Sequence, residues 1–274
     1  MSQAEPTTQL PRLMGIVNAT GDSFSEGAES RPETAVSRAE QLLLAPCDLL
    51  DLGGESTRPG SEVISPEVET ARLLPLVKAL KARHPDVTLS CDTRNSATAQ
   101  AVLDVAANCW INDVSMLRND IRLAEIAAKY RTHLVLCHSR GTPQDMRDAR
   151  YCDYGSDVCG TIIAELAAAA EKAEKLGVER NMIIFDPGFG FAKTVEQQVL
   201  MLKELSRFKA LGPLLIGVSR KSFLGALCGE SQPQQRIGAT LAAELAAAAR
   251  GADIIRTHQP GQLRQALLIQ RSLL

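Results

Sequence analysis

Four oxygen-bearing side chains, Asp51, Asp92, Asn112 and Asp186, each stand at the end of a short apolar run. A carboxylate accepts two parallel hydrogen bonds, so such a set suits a flat heterocycle whose edge is rich in N–H donors, as in a cyclic guanidine. Asp and Asn in such places also cap the helix that follows, and for any one of the four that reading is as good. The four together favour a ligand. Arg58, Lys221, Arg256 and His258 carry the opposite chemistry, cationic donors able to hold a phosphate or a carboxylate. Arg256 and His258 are two apart, so on an extended segment both face the same side and form a diphosphate clamp. Ser219, Arg220, Lys221 and Ser222 precede a helix-like run, whose free backbone N–H groups offer a further place for an anion.

Three loops extend these sets. Gly53-Gly-Glu-Ser-Thr-Arg-Pro-Gly60 is too long and too polar for a plain strand-to-helix turn, and its glycines permit close approach of a ligand. Asn18-Ala-Thr-Gly-Asp-Ser-Phe24 presents side-chain oxygens suited to a hard cation such as Mg²⁺. Gly188-Phe-Gly-Phe-Ala-Lys-Thr194 resembles a phosphate loop only superficially, because Ala192 precedes the lysine and the first glycine is misplaced. Phe191 in it offers an aromatic face beside Asp186, whereas Phe189 reads as core. Cys137 and His138 are adjacent, hence on opposite faces of a strand, and no further Cys/His cluster has zinc spacing.

These residues need a frame that gathers them. Eight apolar or β-branched runs, at 13–17, 49–52, 87–91, 109–111, 133–137, 182–185, 214–218 and 253–255, lack strict alternation, as strands buried on both faces do. Between and after them lie helical patterns at 32–44, 66–83, 96–106, 121–130, 157–176, 194–208, 239–250 and 262–273. Strand–helix units repeated in this way predict an α/β protein, a single (β/α)8 barrel; a doubly wound open sheet is the alternative. The barrel is favoured because every run ends in hydrogen-bonding chemistry, His138 and Ser219 included, and only a barrel brings all those ends to one mouth.

The composition excludes several classes. With 274 residues, 45% hydrophobic and 23% charged, the chain reads as one globular domain, residues 1–11 forming a tail. A net charge of −2 argues against a broad nucleic-acid face, and no stretch is apolar and long enough to span a bilayer. Seven cysteines without a C-x-x-C pair, behind a start that lacks a secretory pattern, fit reduced thiols in a cytosol.

The motifs MGIVNATGDSFSEG, DLGGESTRPGS, SCDTRNSATA, INDVS, HSRGTPQDM, DPGFGFAKT, GVSRKSFLG and IIRTH, in this order over residues 13–258, resemble those of the dihydropteroate synthases. The resemblance implies a TIM barrel, a homodimer, Mg²⁺, and a transferase that joins 6-hydroxymethyl-7,8-dihydropterin diphosphate to p-aminobenzoate. It implies that Asp92, Asn112, Asp186, Phe191 and Lys221 bind the pterin. Asn18, through Mg²⁺, Arg256 and His258 would hold the diphosphate, and Phe24, Thr57, Arg58, Pro59 and Ser222 the p-aminobenzoate. Asn18, Lys221, Arg256 and His258 would be the catalytic set. Gly21, Glu26, Ala28 and Ala192 depart from the family's usual residues. A pterin-binding methyltransferase domain shares the acid–amide chemistry but has no need of S-R-K-S-F, R-T-H or S-T-R-P-G. A non-catalytic pterin-binding protein would keep the pocket without turnover.

Overall fold

The computed structural model describes residues 9–19, 32–56, 61, 63–146 and 148–273. Of the tail read over residues 1–11, only 9–11 are described, and Pro11 is already buried. Eight parallel strands follow: β1 (Arg12–Asn18), β2 (Leu49–Gly53), β3 (Leu89–Asp92), β4 (Trp110–Asp113), β5 (Leu134–Cys137), β6 (Ile183–Asp186), β7 (Leu215–Ile216) and β8 (Ile254–Thr257). Their order is β6-β5-β4-β3-β2-β1-β8-β7. A parallel bridge between Phe185 and Leu214, with the Phe185 N–H donating to Pro213 O at 2.9 Å, joins the two ends and closes the ring. That closure rules out the doubly wound open sheet.

Nine helices pack outside the strands among the described residues: α1 (Pro32–Leu44), α2 (Pro66–Arg83), α3 (Ser96–Val105), α4 (Arg122–Tyr130), α5 (Val158–Lys175), α6 (Val195–Lys203), α7 (Ser222–Cys228), α8 (Ile237–Ala248) and α9 (Pro260–Leu273). Local chemistry sets their starts. Ser65 accepts the Val68 N–H ahead of Pro66, Asp157 accepts that of Gly160, and Thr194 with Gln197 forms a reciprocal capping box, each satisfying amides that the first turn leaves open. The helix expected over 194–208 is divided: α6 stops at Lys203, and a 3₁₀ turn over Leu205–Ala210 tightens the chain so that Leu205 and Phe208 are both fully buried.

The strands separate two apolar regions. One face, with Leu13, Leu50, Cys91, Ile111, Leu136 and Phe185, packs against the helices. The other fills the barrel with a layer of Met14, Leu49, Trp110, Val135, Ile184, Leu215 and Ile254. At the base, the Arg12 guanidinium lies 5.0 Å from the Trp110 ring centroid, and His133 packs edge-on to the same ring at 4.5 Å. The inside of the barrel is therefore filled at its lower end, and the polar residues gather at the C-terminal ends of the strands.

Glu244 on α8 is fully buried, and neither carboxyl oxygen has a hydrogen-bond partner among the described residues. Burial pushes its pKa up to about 8. A carboxyl raised in the folded state costs stability as pH climbs from its unfolded value toward the folded one. Glu244→Gln should therefore be more stable than the parent by on the order of 2–4 kcal/mol at pH 8, with little difference at pH 5. Thermal unfolding at the two pH values measures this; an equal shift at both would contradict it.

Candidate active site at the barrel mouth

Side chains alternate along a strand, so the residues two places beyond the internal apolar layer also face inward, nearer the mouth. From Leu49 this step reaches Asp51, from Trp110 Asn112, from Ile184 Asp186, and from Ile254 Arg256. Register adds a tier: Asn18 pairs with Gly53, Gly53 with Asp92, and Asp92 with Asn112. Residues as distant in sequence as 18 and 256 thus share one small volume. Sheet geometry alone achieves this, before any loop contributes.

Arg256 lies between two of the acids. Its Nε donates to Asp51 Oδ2 at 2.5 Å and its terminal nitrogen to Asp92 Oδ2 at 2.7 Å, while Asn112 Nδ2 donates to the same Asp51 oxygen at 3.0 Å. Burial opposes the charge on the guanidinium, but Asp51 and Asp92 outweigh it and hold the Arg256 pKa above its ordinary value. Asp92 is raised, chiefly by burial, with Arg256 pulling the other way. Asp186 is likewise raised by burial, although its Oδ1 accepts the Gly188 N–H at 2.8 Å. Asp51 Oδ1 and Asn112 Oδ1 have no partner among the described residues. The floor of the mouth is a buried surface rich in acceptors.

Lys221 caps α7, and its ammonium lies 4.7 Å from the Phe191 ring centroid; burial lowers its pKa, and Arg256 lowers it further. Gly190 leaves room for it, since a Cβ there would meet the lysine stem at 3.0 Å. Two residues before Lys221, Ser219 Oγ accepts the N–H of His258, which follows β8, at 3.2 Å and lies 3.0 Å from His258 Nδ1, while Arg38 from α1 donates to His258 O at 3.0 Å. These contacts fix His258 on the rim beside Arg256. Ser222 opens α7 and is exposed.

The structure thus gathers Asn18, Asp92, Asn112, Asp186, Phe191, Lys221, Ser222, Arg256 and His258 at one end of the barrel. Phe24, Thr57, Arg58 and Pro59 lie outside the described residues, as do Gly21, Glu26 and Ala28. The base of the second loop is nonetheless firmly held. Glu55 accepts two hydrogen bonds from Arg94, at 2.8 and 2.9 Å, and the Ile64 N–H at 3.3 Å; Arg72 donates to Gly54 O at 2.9 Å. Sequence reasoning gave none of Glu55, Arg72 and Arg94 a part, for no spacing relates them. His138 is a correction: although it follows β5, its ring turns away from the mouth toward Glu165 on α5, with Nε2 3.1 Å from Glu165 Oε2. It comes one residue after inward-facing Cys137, so alternation sends it outward.

Asp51 is the residue whose loss isolates the effect of the shared charge. Asp51→Asn keeps the volume but removes the anion that serves Arg256 and Asn112, and should destabilise the fold by about 2 kcal/mol. Urea unfolding would measure it, and an unchanged midpoint would show that Arg256 is anchored by Asp92 alone.

Comparison with known proteins places this geometry. A family model described as pterin binding enzyme matches residues 14–258. The dihydropteroate synthase of Synechocystis sp. is 39% identical over 256 residues, covering 92% of this chain and 86% of that protein. Dihydropteroate synthase from Xanthomonas albilineans with 4-aminobenzoic acid is similar at a TM-score of 0.88 and 36% identity, over 96% of this chain and 93% of that one. The Xanthomonas albilineans enzyme in complex with 7,8-dihydropteroate gives 0.85 at 34% identity, over 97% and 95%. The agreement runs through every strand that supplies the mouth, and on that ground the chain belongs to the dihydropteroate synthase family of pterin-binding enzymes.

Proposed function

We propose that this chain joins 6-hydroxymethyl-7,8-dihydropterin diphosphate to p-aminobenzoate, forming 7,8-dihydropteroate and pyrophosphate. The observation that carries the reading is the acceptor-rich floor, in which Asp92, Asn112 and Asp186 surround a space whose natural complement is a ring edge bearing several N–H donors. Asp186 and Asp92 would accept from the pterin's guanidine-like edge, Asn112 would read a neighbouring position, and Lys221 would donate to ring acceptors. Phe191 closes one side. Asp51 makes no claim on the substrate; it steadies Arg256 and Asn112.

The bond that breaks joins the pterin methylene carbon to the bridging diphosphate oxygen, and its electron pair leaves with the diphosphate. Positive character on the methylene is relieved by donation from the ring nitrogens. The neutral arylamine nitrogen then bonds to that carbon and loses a proton. Such a reaction depends mostly on positioning and on stabilising the departing anion. Arg256 inside the mouth and His258 on the rim would supply the cationic donors, and Ser222, with Phe24, Thr57, Arg58 and Pro59, would form the arylamine side.

The family implies Mg²⁺. No group of three or more His, Cys, Asp or Glu suited to a metal occurs among the described residues. Asn18 Oδ1 and Asp92 Oδ2, however, each lie 3.7 Å from where a Cβ on Gly53 would sit, so two oxygens border one cradle at the mouth. This fits an ion that keeps most of its shell from water and substrate phosphate, with Asn18 as its protein ligand. When bound, it would neutralise charge on the diphosphate. Homodimerisation, also implied by the family, is supported by exposed Leu200, Leu227 and Ile237 on the neighbouring helices α6, α7 and α8.

Pyrophosphate release by the purified protein with Mg²⁺ and dihydropterin diphosphate, with and without p-aminobenzoate, tests the reading. Arylamine-dependent release with a product of dihydropteroate mass is expected; pterin binding without release would make this a non-catalytic pterin-binding barrel. Arg256→Ala should cost about 3 kcal/mol or more in kcat/KM, roughly a hundredfold, and near-parental turnover would remove it from the leaving-group role. Asp186→Asn should weaken pterin binding, because an amide oxygen accepts less strongly and its NH₂ opposes a ring donor. An unchanged pterin Kd would contradict that assignment.

A further inference from the structure

Lys193 stands in the loop between β6 and α6 and, at 9% exposure, is almost completely buried. An ammonium has three hydrogens to donate. Its Nζ lies 2.9 Å from Phe191 O, 3.0 Å from Gly188 O and 3.0 Å from His138 Nδ1, with His138 O further away at 3.5 Å. Every donor is used inside the protein, so none remains for a substrate phosphate.

The loop is wound around this cation. Gly188, Gly190 and Ala192 all have positive φ, 74°, 87° and 48°, which turns the carbonyls of Gly188 and Phe191 toward one point. At Ala192 that conformation costs roughly 1 kcal/mol in the absence of compensation. A side chain at Gly188 would overlap the His138 carbonyl. His138 accepts from Lys193 at Nδ1, which leaves its proton on Nε2 for Glu165, and Glu165 is paired with both Arg140 and Arg118. Burial, with the lysine charge adding to it, pulls the His138 pKa down to about 3, so the ring is neutral and able to accept; burial also pulls Lys193 down to about 7, so the ammonium is held at neutral pH and below.

The two carbonyls held by Lys193 belong to the residues that shape the mouth. Gly188 gives its N–H to Asp186 Oδ1 at 2.8 Å, and Phe191 presents its ring to the Lys221 ammonium at 4.7 Å. We propose that Lys193 is a positioning residue for pterin recognition: its ammonium is the internal cation that holds the β6–α6 loop wound, and it acts on the substrate only through Asp186 and Phe191. The proposal rests on the pterin-binding reading of the mouth. Without the cation, two inward-pointing carbonyls have no donor, the loop relaxes, and both contacts to the ring side loosen. Tyr154 on Ala192 O at 3.0 Å and Gln198 on the Gly190 N–H at 2.9 Å still tether the loop, so the barrel itself survives.

Lys193→Ala removes the four atoms that propylammonium supplies. In this variant the Kd for 6-hydroxymethyl-7,8-dihydropterin diphosphate should rise tenfold or more, while the KM for p-aminobenzoate stays within twofold of the parent. Propylammonium chloride should restore pterin affinity, and tetramethylammonium chloride at equal ionic strength, which has no N–H, should not. A pterin Kd within twofold of the parent, pterin and arylamine constants rising together, or no restoration by propylammonium would each overturn the proposal. If Lys193→Ala does not fold, Lys193→Met keeps the stem without the charge: a selective rise in pterin Kd supports the role, and an unchanged Kd refutes it. The parent protein separates the two readings, since failure of the parent to bind pterin sinks the proposed function and this inference together, whereas parental binding with an unaffected variant sinks only the role of Lys193.

Discussion

Two carboxylates and one guanidinium share the inside of the barrel mouth, and much else in the site follows from keeping them there. Asp51 and Asp92 would each be costly to bury alone, and Arg256 between them makes the group tolerable. The strands that supply the three must stay in register, because a one-residue slip would send a charge outward into the helix-packed core. The filled apolar layer beneath keeps the group at its height. Fixed donors and acceptors of this kind do not reorganise when charge develops in a reaction, which is what a site that expels a highly charged leaving group requires.

The strand frame was legible in the sequence because parallel strands buried on both faces declare themselves as short apolar runs, and the residue after each run falls at the mouth by geometry. Asp92, Asn112, Asp186 and Arg256 can be named for that reason, and the same pattern favours the barrel that the Phe185–Leu214 bridge closes. His138 was misplaced because a strand end has two faces and only alternation from Cys137 decides between them. The contacts that hold the loops were invisible. Glu55 and Arg94 are 39 residues apart, and Lys193 and His138 are 55 apart, so no local pattern relates them. Spacing pairs Arg256 with His258, whereas its hydrogen bonds are to Asp51 and Asp92.

Ala192 shows how tertiary structure overrides local preference. A position whose backbone glycine would adopt without strain here carries a Cβ at φ 48°, held by the Tyr154 hydroxyl on its carbonyl and by the cation one residue on. Locally the substitution is unfavourable; within the loop it is a strain of ordinary size set against several hydrogen bonds. The same logic applies to the second loop, whose base is fixed by Glu55, Arg72 and Arg94 whatever its tip does.

The packing of Trp110 between Arg12 and His133 closes the base of the barrel, so traffic has a single doorway. A planar ring lying on the acid floor sits beneath whatever binds at the rim, and anything above it blocks its exit. On the proposed reading, a ring bound on that floor would have to enter before the arylamine and leave with it as one product. A plugged barrel would thus impose a queue, with the filled floor setting its direction.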